Sequence, residues 1–216
     1  MLDISKYKVH DLTHTLGEHI AGYADEPARK LEVDGWNAKT LTIYSHAGTH
    51  MDAPLHFGVS DTTVDELHPS KLMAKAWILD VDIHDASQLI DGKDFEGQLE
   101  KVQRGDSILV RTHWAENYNQ PNFKSELPRL SEAFCRWCVQ KKINMLGVEP
   151  LSVANVADLK EVTEIHKILL GGGVTIIEGL MGLDQIQSPS VFLIALPLKI
   201  QNGDGAPARV VALEEK

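Results

Sequence analysis

Apolar positions in the first half of the chain recur every second residue. Residues 9–13 make a short alternating run. Residues 39–44 alternate polar and apolar, with Leu41 and Ile43 on one face, and residues 76–83 set Leu79, Val81 and Ile83 against Ile78, Asp80 and Asp82. A period of two predicts strands, because successive side chains point to opposite faces of a sheet. Residues 107–110 follow the turn pair Gly105-Asp106 and add another strand.

Beyond residue 130 the period changes. Ser131, Glu132 and then Phe134, Cys138 and Val139 predict an N-capped amphipathic helix ending near Lys141. Residues 143–148 read as a strand. Residues 163–170 read as a short helix, with Ile165, Ile168 and Leu169 on one face and Gly171 as its stop. Residues 174–177 and 191–196 are apolar β-branched runs typical of buried strands, and residues 209–213 form one more. Hairpin-spaced strands followed by strand–helix alternation predict an α/β or α+β fold with a mixed sheet. The longest irregular stretch, residues 114–128, is rich in Asn, Gln and Pro. Loops of that length serve as lids, binding loops or exchanged arms, or are plain surface insertions.

With 216 residues the chain fits one domain on the usual scale of about 150 residues each. A net charge of -10, from 21 basic and 31 acidic residues without a basic cluster, argues against nucleic acid and anionic membrane partners. No apolar run reads as a secretory signal or a membrane span. Cys135 and Cys138 are a CxxC without a second pair, on a helical face, and read as buried thiols of a reducing, cytoplasmic protein.

One segment stands apart chemically. His46-Ala-Gly-Thr-His50-Met-Asp52-Ala-Pro-Leu-His56 places three imidazoles and a carboxylate within eleven residues. Imidazole with carboxylate and no thiolate suits Zn²⁺, Mn²⁺ or Fe²⁺. Gly48 and Pro54 oppose a regular helix, so a strand end turning into a loop is the better frame, and an extended piece puts His50 and Asp52 on one face.

That string resembles the His-x-Gly-Thr-His-x-Asp-x-Pro-x-His signature of the cyclase family, which includes bacterial kynurenine formamidases (arylformamidases) and isatin hydrolases. The resemblance continues through His166-Lys-Ile-Leu-Leu-Gly, Ile176-Ile177-Glu178-Gly179-Leu180, Leu196-Pro-Leu-Lys199-Ile and Asp204-Gly-Ala-Pro-Ala-Arg209. It implies a single α/β domain over residues 1–216 of the swivelling β/β/α type, a mixed sheet flanked by helices with the site at a strand end. It implies metal ligation by His46, His50 and Asp52, a second metal held by His166 and Glu178, and His56 as the acid–base residue. One or two zinc ions are the expected cofactor, with manganese the alternative, as in isatin hydrolases.

The implied reaction is hydrolysis of a C–N bond in a small amide or formamide. A divalent ion lowers the pKa of water from 15.7 toward about 7, giving hydroxide at neutral pH, and His56 passes the proton to the leaving nitrogen. Hydrolysis of a cyclic amide or lactone is the alternative chemistry, and a metal-binding protein without turnover is the alternative class. A homodimer or larger homo-oligomer is also implied, with the 114–128 loop reaching a neighbour. The substrate side departs from the formamidase pattern. Where those enzymes carry an aromatic residue in a Trp-Pro-Gly-Asp-like turn, this chain has Glu18-His19-Ile20-Ala21-Gly22-Tyr23-Ala24-Asp25, with Ile20 at the aromatic position. Tyr23, Trp36 and the 114–128 loop are the other sources of a ring. His10, His14, His19, His68, His84 and His113 lack ligand spacing and read as structural or surface residues. Gly171-Gly172-Gly173 reads as a helix stop and turn.

Overall fold

The computed structural model describes residues 3–216. Twelve strands run in chain order as β1 (Tyr7–Asp11), β2 (Tyr23–Arg29), β3 (Ala38–Ile43), β4 (His50–Asp52), β5 (Met73–Asp80), β6 (Leu89–Ile90), β7 (Ser107–Arg111), β8 (Arg129–Leu130), β9 (Met145–Val148), β10 (Thr175–Glu178), β11 (Ser190–Pro197) and β12 (Gly205–Glu215). Three α-helices accompany them: α1 (Leu31–Asp34), α2 (Glu132–Lys141) and α3 (Leu159–Gly171).

The main sheet runs β1-β12-β11-β5-β7-β9-β10-β4, and β4 also pairs with β12. That extra pairing closes seven strands into a barrel-like ring, with β1 added outside on β12. The β5–β7–β9–β10 stretch is parallel and the rest antiparallel, so the sheet is mixed as its sequence pattern predicts. The closure itself has no counterpart in the sequence reading. It depends on β4, a strand of three residues that is too short to show a period.

Alternation divides the sheet between two cores. Met51, Ile78, Leu109, Met145, Ile177, Leu193 and Val210 fill the ring. Ile108, Val110, Leu146, Val148 and Ile176 face outward and pack against Phe134, Cys135 and Cys138 of α2 and Ile165 and Leu169 of α3. The hydroxyl of Ser131 caps α2 by accepting from the Phe134 amide at 3.0 Å. Helix α3 begins four residues earlier than its apolar pattern predicts, because the Asp158 carboxylate accepts from the amides of Lys160 and Glu161 and starts the first turn there. Cys135 and Cys138 are free and buried, and burial pushes the Cys135 thiol up to about 12, which leaves it unreactive at neutral pH.

The strand predicted at residues 39–44 is present and lies outside the main sheet. As β3 it pairs only with β2, and α1 forms the turn between them, giving a two-stranded ribbon whose side chains are mostly exposed. Leu41 remains 51% exposed there. Within the 114–128 loop, Trp114, Phe123 and Leu127 form a small core, and the Trp114 indole N–H donates to the Phe123 carbonyl at 3.1 Å. No helix among the described residues is long and apolar enough to cross a membrane.

A buried imidazole–carboxylate contact ties β1 to β12. The Glu214 carboxylate lies 2.6 Å from the His10 imidazole and accepts from the Gln187 and Ser188 amides at 2.8 and 2.6 Å. Burial alone raises its pKa, but the Ser188 amide, His10 and the Gln187 amide together hold it at about 2, below the ordinary 4.5. A depressed pKa stabilises the fold fully above pH 4.5, and that contribution is lost as pH falls toward 2. Glu214→Gln is therefore expected to cost about 2 kcal/mol at neutral pH, a fall in Tm of about 4–8 °C. Thermal melts across pH should show the gap to wild type shrinking between pH 4.5 and 2.

Candidate metal centre

The six residues singled out by sequence come together between the ring and helix α3. On β4, Met51 points into the ring, so the period of two turns His50 and Asp52 outward. Glu178, the last residue of β10, is the cross-strand partner of His50. His166 comes from the buried face of α3. His46 lies in the turn before β4, and His56 in the short 3₁₀ turn Pro54–Phe57 that follows it.

Tight loop contacts make this approach possible. The Thr49 hydroxyl donates to the Gly179 carbonyl at 2.5 Å and accepts from the His14 amide at 2.8 Å, fastening the signature loop to the end of β10. Gly179 has a φ of +69°, and a Cβ there would stand 2.6 Å from the Gly48 carbonyl oxygen, so only glycine fits. Gly205, the first residue of β12, lies under the His46 ring. A Cβ there would meet His46 Cε1 at 2.6 Å and the Met51 carbonyl oxygen at 2.7 Å.

Asp52, Glu178, His50 and His166 are almost wholly buried. His50 Nε2 lies 3.2 Å from Glu178 and 3.7 Å from Asp52, while His166 Nε2 lies 3.4 Å from Glu178 and 3.6 Å from Asp52. Nδ1 of His50 faces the Gly48 carbonyl at 2.9 Å, and Nδ1 of His166 faces the Val162 carbonyl at 2.7 Å. A carbonyl only accepts, so both Nδ1 atoms carry the proton and both Nε2 atoms turn toward the carboxylates. The Val153 amide donates to Glu178 at 2.7 Å. Oδ2 of Asp52 is buried and has no hydrogen-bond partner.

Two buried carboxylates need positive charge close by. Burial works against protonating His50 and His166, yet Glu178 and Asp52 raise both, and the same imidazoles hold Glu178 far below its usual range. His46 is likewise opposed by burial and raised to about 9 by Asp52 and Asp204. His56 differs: burial lowers it, outweighing the attraction of Asp52. A divalent ion would satisfy the carboxylates without those protons. Three imidazoles, two carboxylates and the orphan Asp52 oxygen fit such an ion, and Asp52 belongs to both His50–Asp52–Glu178 and His46–Asp52–His56, groups whose ligating atoms lie within 4.8 Å of one another.

Beside His46 a cavity of about 260 Å³ is lined by Ile20, Tyr44, Tyr118, Lys124 and Leu151. Its rings come from Tyr44 and Tyr118, whereas Trp36 is exposed on the ribbon. Sequence reasoning also left Asp204 without a role. Its carboxylate reaches the His46 ring at 2.8 Å, but in Asn202-Gly203-Asp204-Gly205 it reads as ordinary turn chemistry.

The Cyclase family model matches residues 10–155. A kynurenine formamidase of Bacillus cytotoxicus is 30% identical over 208 residues, covering 93% of this chain and 95% of its own. Among solved structures, isatin hydrolase A from Labrenzia aggregata, bound to benzyl benzoate, aligns with a TM-score of 0.86 at 22% identity over 98% of this chain and 95% of that one. A structure described as a potential metal-dependent hydrolase with cyclase activity aligns with a TM-score of 0.79 at 27% identity, covering 97% and 99%. The chain belongs to the cyclase family.

Gly205→Ala should displace the His46 ring and press on the Met51 carbonyl of β4, so it disturbs both the site and the β4–β12 pairing. The expected result is metal affinity weakened about tenfold or more, read by chelator competition, together with a lowered Tm.

Proposed function

We propose that this chain is a metal-dependent hydrolase that cleaves the C–N bond of a small amide or formamide, as kynurenine formamidases do. One observation carries the reading: a buried imidazole–carboxylate cluster sits beside a cavity, with a further imidazole, His56, stacked on His46 at 3.9 Å between centroids. His46, His50 and Asp52 would hold one zinc ion and His166 and Glu178 complete a second site, with manganese the alternative. When bound, the ion supplies a Lewis acid and an acidified water.

The chain's own groups do the rest. His56 stands at the edge of the cluster, 25% exposed, where it can take a proton from the attacking water and return it to the leaving nitrogen. Tyr44, Tyr118 and Ile20 line the cavity, where the two rings can pack against the aryl side of a substrate. Ile20 in place of an aromatic residue favours a second reading, hydrolysis of a cyclic amide or lactone as in isatin hydrolases. The swivelling β/β/α assignment belongs to the same proposal and is supported by the mixed sheet with α2 and α3 on one face. So does homo-oligomerisation, supported by exposed Leu31, Val33 and Trp36 on the ribbon.

The test joins metal analysis to a panel of N-formylkynurenine, isatin and simple lactones. Chelation should abolish turnover, and zinc or manganese should restore it. A metal-free preparation with full activity overturns the proposal, and absence of turnover across the panel favours a metal-binding protein. His56→Ala should keep its metal and lose about 10²–10⁴-fold in kcat. Tyr118→Ala should raise KM for aromatic amides about 2–10-fold with a smaller change in kcat.

A further inference from the structure

Asp204 is half-exposed, yet it is held at several points. Its carbonyl accepts from the Ala53 amide at 2.9 Å, and Gly205 beside it pairs with Asp52, so its backbone is fixed against the signature strand. Its carboxylate reaches His46 Nε2 at 2.8 Å. The same oxygen, Oδ2, stands 3.4 Å from Nδ1 of His56. One carboxylate oxygen thus spans two imidazoles stacked face to face at 27°.

The arrangement reverses His46 relative to the other two histidines. His50 and His166 are fixed through Nδ1 by backbone carbonyls and present Nε2 to the cluster. His46 has its Nε2 taken by Asp204, and its Nδ1 lies 2.9 Å from Asp52. A carboxylate behind a metal-binding imidazole fixes the tautomer and orientation and raises the basicity of the ligating nitrogen. We propose that Asp204 is the positioning residue that makes His46 a ligand through Nδ1. This rests on the metal-dependent reading above.

Asp204 holds the His46 ring and touches no reacting atom. Removing it should loosen the metal and slow the chemical step while leaving substrate binding nearly unchanged. The first measurement needs no variant: long-range ¹H–¹⁵N spectra of zinc-loaded wild type should show the His46 proton on Nε2, and a proton on Nδ1 overturns the assignment. Asp204→Asn and Asp204→Ala should then weaken zinc affinity by about 10–100-fold in chelator competition. In fully loaded protein, kcat should fall about tenfold or more with KM within twofold of wild type, and Asp204→Glu should recover part of both losses. Zinc affinity and kcat within twofold of wild type in Asp204→Ala overturn this proposal alone. A wild-type protein that takes up no divalent ion overturns the metal-dependent reading and this one with it.

Discussion

The structure turns on two carboxylates buried side by side. Asp52 and Glu178 sit where water cannot reach them, and a bare charge in such a place is costly unless it is paired. Every nearby choice answers that demand. Three imidazoles surround the pair, the Val153 amide reaches Glu178, and backbone carbonyls fix which nitrogen of His50 and His166 faces inward. Such a cluster is a poor way to stabilise a fold, because an apolar core of the same volume does as well or better. Its geometry makes sense as a receptacle for a cation.

The fold supplies that receptacle through alternation. On β4 a period of two sends Met51 into the ring and His50 and Asp52 toward α3, so one three-residue strand serves both the apolar interior and the polar site. Strand pairing sets the distances: Glu178 opposes His50 and Gly205 opposes Asp52. Glycines at 179 and 205 are required because a β-carbon at either would occupy space that the Gly48 carbonyl or the His46 ring already fills. Site and barrel are therefore one construction, and a residue that closes the ring also places a side chain.

Much of this was legible in the sequence. The density of His46, His50, Asp52 and His56 marked the candidate cluster, Ser131 marked the start of α2, and the β-branched runs marked the central strands to within a few residues. What escaped depended on distance along the chain. The β4–β12 pairing that closes the ring joins segments with no mutual signal. Strand β3 was legible from its alternation, but its partner β2 escaped because Asp25, Glu26 and Pro27 do not read as a strand. Which rings line the cavity was open in the sequence, and Tyr44 and Tyr118 do so in the structure. Asp204 was hidden in plain turn composition.

The separation between His46 and Asp204, 158 residues, has a kinetic meaning. During synthesis the signature segment emerges long before the strand that seals it, so Asp52 and the histidines pass through a period with the ring open. Contacts so distant in sequence are slow to form, and exposed strand edges on an unfinished sheet invite wrong pairings. The ring can close, and Asp204 can reach His46, only once nearly the whole chain has been made.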